Sequence, residues 1–212
     1  MAGRTAARLV GPLVLLLTVA PALWLVLRTA QGDLGADPVE ELEHQTGIWA
    51  LRFLALTLLV TPLSRLAGWS WLVKRRRALG VATFAYATLH LLTYVVIDHG
   101  LLLAAIADDI VEHPWVTLGM ATWLMLLPLA LTSTKGWIRR LGGRRWNRLH
   151  QLVYVCAVTG VLHYTLAVKK DVRLPLIYGA IFALLLAYRV VVRVGLRRAR
   201  AERAAARDAA AA

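Results

Sequence analysis

The chain has 212 residues, 59% of them hydrophobic and 17% charged, with a mean hydropathy of +0.61. A soluble domain of this size has too little interior to hide that much apolar surface, so the composition excludes a soluble enzyme and points to an all-α integral membrane protein. The formal net charge is +13, but the cations flank apolar runs, a pattern that fits membrane topology and anionic lipid and argues against a nucleic-acid ligand.

Six stretches are long enough to span a hydrocarbon layer of ~30 Å: residues 9–27, 48–66, 79–97, 115–131, 149–167 and 174–192. They predict a six-helix transmembrane bundle over 9–192, preceded by a short N-terminal segment, 1–8, and followed by a basic Ala/Arg-rich tail, 193–212. The first run is longer than the core of a secretory signal, and residues 29–32 show no small-x-small cleavage site, so it reads as a span. Gly32 to Pro38 break the chain, and Glu40, Glu41 and Glu43 are expected to start a short helix outside the membrane that leads to Gly47. Residues 101–111 mix apolar positions with Asp108 and Asp109, as an amphipathic surface segment does. Gly142 and Gly143 open a basic turn before the fifth span, and the tail from Arg197 reads as a frayed helix or a disordered segment. Cys156, the single cysteine, lies inside a span and reads as a small packing residue. No internal repeat is evident.

Charge sets the expected orientation. With loops assigned alternately, one side holds twenty of the 25 Lys and Arg, while the first two loops of the other hold nine of the 12 acids. The positive-inside rule then puts both termini in the cytoplasm, and in a bacterium the membrane is the inner one.

Two histidines stand out. His90 and His163 each lie about thirteen residues into an apolar helix that begins at a basic flank, and the two helices run in the same direction. At ~1.5 Å per residue both imidazoles sit ~20 Å from the basic face, at one depth. An ionisable side chain at that depth is a functional candidate, although a lone histidine can also bond to a neighbouring helix. Two at matched depth can clamp a haem, with neutral imidazoles as axial ligands and no open position on the iron, an arrangement suited to electron transfer. His44, His99 and His113 fall in or beside outer loops, where solvation is the ordinary state.

His150 precedes His163 by thirteen residues, so the two are ~140° apart around an ideal helix. The matching position on the third span is Arg77, which is no iron ligand, so His150 is left with several roles: a second haem with another partner, a flavin, a propionate or a donor contact. Arg52, inside the second span, can pair with a haem propionate or snorkel outward. Arg75, Arg76 and Arg77, with Arg144, Arg145 and Arg148, form two clusters at one face that suit topology, a flavin phosphate or an acidic reductase. The chain carries no GxGxxG, P-loop or CxxC, so any nicotinamide or iron–sulfur centre belongs to another protein. No residue suggests itself as a nucleophile or general acid.

An ordered set of short motifs carries a resemblance: Leu34-Gly35-Ala36-Asp37-Pro38, Thr46-Gly47, Thr61-Pro62-Leu63, Arg76-Arg77-x-Leu79-Gly80, Ala87-x-Leu89-His90, Leu131-Thr132-Ser133, Trp146-x-x-Leu149-His150 and His163-Tyr164. Over residues 22–178 the chain resembles the MsrQ family, formerly YedZ, of haem-binding membrane subunits of the bacterial periplasmic protein-methionine-sulfoxide reductase system. The resemblance implies membership of the ferric-reductase-like transmembrane superfamily. It also implies electron flow from a cytoplasmic flavin reductase or other donor, through b-type haem and FMN, to the molybdopterin enzyme MsrP. The family's haem histidines fall on His90, His150 and His163. Two-haem members of the superfamily pair histidines on both ligand helices, whereas here His90 is alone on its span, so one haem is expected and a second is left open. Transmembrane ferric, flavin or quinone reduction would use the same helices; a transporter or scaffold would hold no haem.

Overall fold

A computed structural model describes residues 2–168 and 171–211, and the described residues form helices joined by short turns. In chain order they are α1 (Ala2–Ala30), α2 (Pro38–Leu66), a 3-10 segment (Ser70–Arg75), α3 (Arg76–Leu92) closed by a π turn (Thr93–Asp98), α4 (Leu103–Glu112), α5 (Pro114–Leu131), α6 (Lys135–Leu149), α7 (Leu152–Ala167) and α8 (Arg173–Ala211). Among the described residues α1, α2, α5, α8, and α3 taken with its flanking turns (Trp71–Asp98), are long and apolar enough to cross a membrane; α6 and α7, bent by 42° where they meet, make a sixth candidate. The chain is a multi-pass membrane protein.

Several helix ends follow from local chemistry. Asp37 caps α2 by accepting from the Glu40 amide at 3.0 Å, Pro38 fills the first turn where no amide bond is lost, and Glu40 and Glu41 face the positive helix end. The outer helix expected to stop at Gly47 does not stop. It runs through Gly47 into the second span as one helix of 29 residues, ~43 Å long at the α-helical rise. A lone glycine lowers helix propensity without ending the helix, and here its bare surface receives the ring of His90. The tail likewise remains helical, so α8 continues from its span to Ala211. The amphipathic segment expected at 101–111 is α4.

Helix α2 is the centre of the bundle. Its Ile48, Leu51, Leu54 and Leu58 pack with Leu129 of α5, Val153, Ala157 and Tyr164 of α7, and Phe182 and Leu185 of α8. Lipid tails are as apolar as these side chains, so association depends on close fit more than on expelling water. Cys156 and Ala157 are fully buried small residues on α7, and Gly160 admits Leu51 to 3.5 Å of the place a Cβ would occupy. On another side of α2, Phe53 packs with Ala82 and Tyr86 of α3. Helix α1 is peripheral, tied by Tyr86 Oη donating to the Thr18 carbonyl at 2.9 Å and by Arg75 lying against Gly11.

One polar contact in the core has its cause in the sequence. Pro62, inside α2, has no amide hydrogen to give the carbonyl one turn earlier, that of Leu58. The Arg189 guanidinium of α8 donates to that same carbonyl, and also to Leu185 O at 2.7 Å, while lying over the Tyr154 ring. A buried acceptor and a half-buried cation thereby satisfy each other.

Candidate functional site

Helices α3 and α7 bring His90 and His163 together with ring centroids 5.9 Å apart and planes crossed at 74°. Each ring is seated in the same way. His90 Nδ1 lies 2.9 Å from the Glu43 carbonyl of α2, and His163 Nδ1 lies 2.6 Å from the Trp115 carbonyl of α5. A carbonyl can only accept, so both Nδ1 atoms carry the hydrogen, and in the neutral ring Nε2 is then the nitrogen with the lone pair. One turn after each carbonyl stands a glycine. A Cβ on Gly47 would meet the His90 ring at 3.4 Å, and one on Gly119 would meet the His163 ring at 2.8 Å.

The two half-sites repeat one pattern: a helix supplies a carbonyl and, four residues later, a glycine, and the helix packed on it supplies the histidine. Glycine and histidine are 43 residues apart in the first half and 44 in the second. No repeat was evident in the sequence because only the glycine and histidine are side-chain choices; the carbonyl is common to every residue.

The donor set decides what the pair can hold. A metal between two imidazoles puts the ring centroids about 6 Å apart, twice a bond of ~2 Å plus the ring radius. The observed spacing fits. Among the described residues no group of three His, Cys, Asp or Glu could hold a metal ion, so two protein nitrogens suit a metal whose other positions a macrocycle fills. The residues therefore fit a haem iron, with Nδ1 bonds that fix tautomer and ring orientation.

Around the pair lie groups that sequence reasoning placed elsewhere or left open. His44, expected in solvent, is half-buried with Nε2 3.3 Å from Tyr164 Oη. Arg52 turns inward: Nε donates to Tyr178 Oη at 3.2 Å and the guanidinium lies 4.4 Å above the Trp49 ring. His99 and His113, also expected in solvent, share Asp109, with ring nitrogens 3.2 and 3.0 Å from its two oxygens. Tyr94 Oη donates to Asp109 at 2.8 Å. That bond, with His113 and His99 beside it, holds the Asp109 carboxyl below its ordinary range despite partial burial. The cluster touches the site through Trp115, whose ring packs 4.5 Å from His113 while its carbonyl holds His163. The legible signal was the Asp109/His113 spacing of one helical turn.

His150 is not brought to the pair. It caps α6, its ring stacked 3.8 Å from that of Trp146, and Trp146 Nε1 donates to the Thr132 carbonyl at 2.9 Å. Arg77 and Arg145 are exposed and Arg76 half-buried at that same basic end.

Comparison with known proteins shows the family. Residues 46–161 match the family described as ferric reductase like transmembrane component, a region that includes His90 and His150 and ends before His163. The protein-methionine-sulfoxide reductase heme-binding subunit MsrQ of Xanthomonas oryzae pv. oryzae (strain MAFF 311018) is 46% identical over 86% of this chain and 83% of its own. The corresponding subunit of Xanthomonas campestris pv. campestris (strain B100) is 47% identical over the same shares. That of Azospira oryzae is 49% identical over 85% of this chain and 78% of its own. No solved structure matches. On its ordered motifs, its helical bundle and these similarities, the chain belongs to the MsrQ family of ferric-reductase-like transmembrane proteins.

Proposed function

We propose that this chain is the membrane electron-transfer subunit of a protein-methionine-sulfoxide reductase, holding one b-type haem between His90 and His163. The observation that carries the reading is the pair of imidazoles 5.9 Å apart, each with Nδ1 on a backbone carbonyl. The relatives, which are heme-binding subunits by name, support it.

When bound, such a haem would supply one-electron redox chemistry, with His90 and His163 as the residues that would hold it. The rest is the work of the chain. The Glu43 and Trp115 carbonyls hold the two Nδ1 hydrogens, so that in each neutral ring Nε2 is the nitrogen left with the lone pair. Gly47 and Gly119 leave room for the rings. Arg52, steadied by Tyr178 and Trp49, is the cation we assign to a haem propionate.

The basic end, by the positive-inside rule, faces the cytoplasm with both termini, and the acidic end faces the periplasm. A reduced flavin of a cytoplasmic reductase or other donor then docks near Arg76, Arg77, Arg145 and His150, where guanidinium can take its phosphate. FMN enters this reading only as the donor's flavin. The acidic end meets the molybdopterin partner MsrP, which reduces oxidised methionine in periplasmic proteins.

The test is the reduced-minus-oxidised absorption spectrum of the purified chain, with haem quantified per protein, beside His90→Ala, His163→Ala and His150→Ala. A b-type spectrum that vanishes with either of the first two and survives the third supports one haem on this pair. A wild type without haem overturns the reading, and loss of half the haem in His150→Ala replaces it with a two-haem arrangement.

A further inference from the structure

The link between α5 and α7 has a surface that the electron-transfer reading does not use. Helix α6 buries none of its residues. It is broken by Gly142, whose φ of 71° and ψ of 148° turn the chain between residues 135–141 and 143–149. Because α5 ends and α7 begins at the basic end of the bundle, the link leaves and rejoins one face. At ~100° per residue, Trp137, Ile138 and Leu141 fall on one side of the first limb, and Lys135, Arg139 and Arg140 on the other. Trp137 and Ile138 are 39% and 38% exposed, and the Arg140 guanidinium lies 5.5 Å over the Trp137 ring. An open cavity of ≈350 Å³ runs between Thr134, Gly136, Trp137, Arg139 and Arg140.

A second segment at the same end has the same make-up. Helices α3 and α7 are parallel, since both place a histidine of the pair near their final turn, so the start of α3 lies at the end where α6 joins α7. Just before α3, Trp69 and Trp71 stack 6.1 Å apart, both exposed, ahead of Lys74. Tryptophan beside clustered cations, next to the ends of spans, is the composition that sits at a headgroup layer.

We propose that residues 135–141, together with the Trp69/Trp71 segment, form a docking surface for anionic phospholipid. The tryptophans and Ile138 enter the headgroup and upper acyl region, and Arg139 and Arg140 bind lipid phosphates in and beside the open cavity. The charge is complementary to an anionic leaflet, and the exposed apolar side chains lie where spans emerge from it. An acidic protein would satisfy the arginines and leave those apolar side chains in water. The surface is independent of haem.

The experiment is backbone hydrogen exchange of residues 136–141 in the full chain, in nanodiscs of phosphatidylcholine alone or with roughly a third phosphatidylglycerol. The expected result is exchange about tenfold slower in the anionic discs, the difference shrinking as salt screens the headgroups. The double variant Arg139→Gln/Arg140→Gln should abolish the difference, and Trp137→Ser should slow exchange in neither disc, while exchange in the spans stays as in wild type and reports an intact fold. Equal exchange in the two discs for the wild-type chain overturns the proposal. So does slowing that appears in neutral discs only when an acidic electron donor is added, which would assign the surface to a protein.

Discussion

The two half-sites use the same parts with different tolerance. On the α2/α3 side the glycine stands at ordinary contact distance from the imidazole, with Nδ1 2.9 Å from the Glu43 carbonyl and the Thr46 hydroxyl 3.5 Å away. On the α5/α7 side the glycine lies closer than any Cβ would permit, and the bond to the Trp115 carbonyl is 2.6 Å. The first half-site has slack and a second polar neighbour. The second is tight and is backed by the Asp109 cluster through Trp115. Equal chemistry in two half-sites therefore does not mean equal sensitivity to change, because in close-packed interiors a few tenths of an ångström decide whether a group fits.

The largest effect should come from Gly119→Ala. Its methyl would stand 2.8 Å from His163 Cε1, so the ring must leave its carbonyl, and haem per protein is expected to fall by more than about tenfold, as overpacking of a tight site does. Gly47→Ala meets His90 at 3.4 Å and should keep more than roughly half its haem. Equal losses would erase the asymmetry.

Next in size is a pH effect confined to the tight side. The Asp109 carboxyl titrates below its ordinary range. Its contribution is therefore whole above the unfolded value of ~3.9 and is lost as pH falls through the folded one. Histidine-resolved NMR of His99 and His113 should show their shared contact opening below about pH 4. Tyr94→Phe removes the bond that chiefly depresses the carboxyl and should move the opening to higher pH; an unmoved midpoint would exclude that bond as the cause. Smallest of all is Thr46→Val. At 3.5 Å its hydroxyl is at the limit of hydrogen bonding to His90, so haem content should stay within roughly 20% of wild type, and a larger fall would show that the loose side depends on it.

Apolar runs and basic flanks located the core of each span, since burial in lipid is dictated by side-chain type, but not the start of α2 at Pro38 or the run of α8 to Ala211. That His90 and His163 would meet was legible because a rise per residue converts sequence position into height along a helix. What those signals could not carry is the seat beneath each ring. Glu43 and Trp115 act there through their carbonyls, which leave no trace in residue choice, and Gly47 and Gly119 offer no side chain that would mark a site. His99 and His113 were misjudged because loop position was taken to mean solvent, whereas the π turn after α3 and the helix α4 fold back and close both onto Asp109.

Pro62 and Arg189 are 127 positions apart in the chain, yet one carbonyl, that of Leu58, joins them. Neither residue has a meaning by itself: the proline creates a vacancy that the arginine fills. The two positions should therefore drift together in evolution, a relative with a residue other than proline at the first being free to carry an apolar side chain at the second. The same logic makes the pair a genetic suppressor test, in which Arg189→Leu is harmful alone and is relieved by Pro62→Ala, because the restored amide hydrogen returns to the carbonyl the arginine has left.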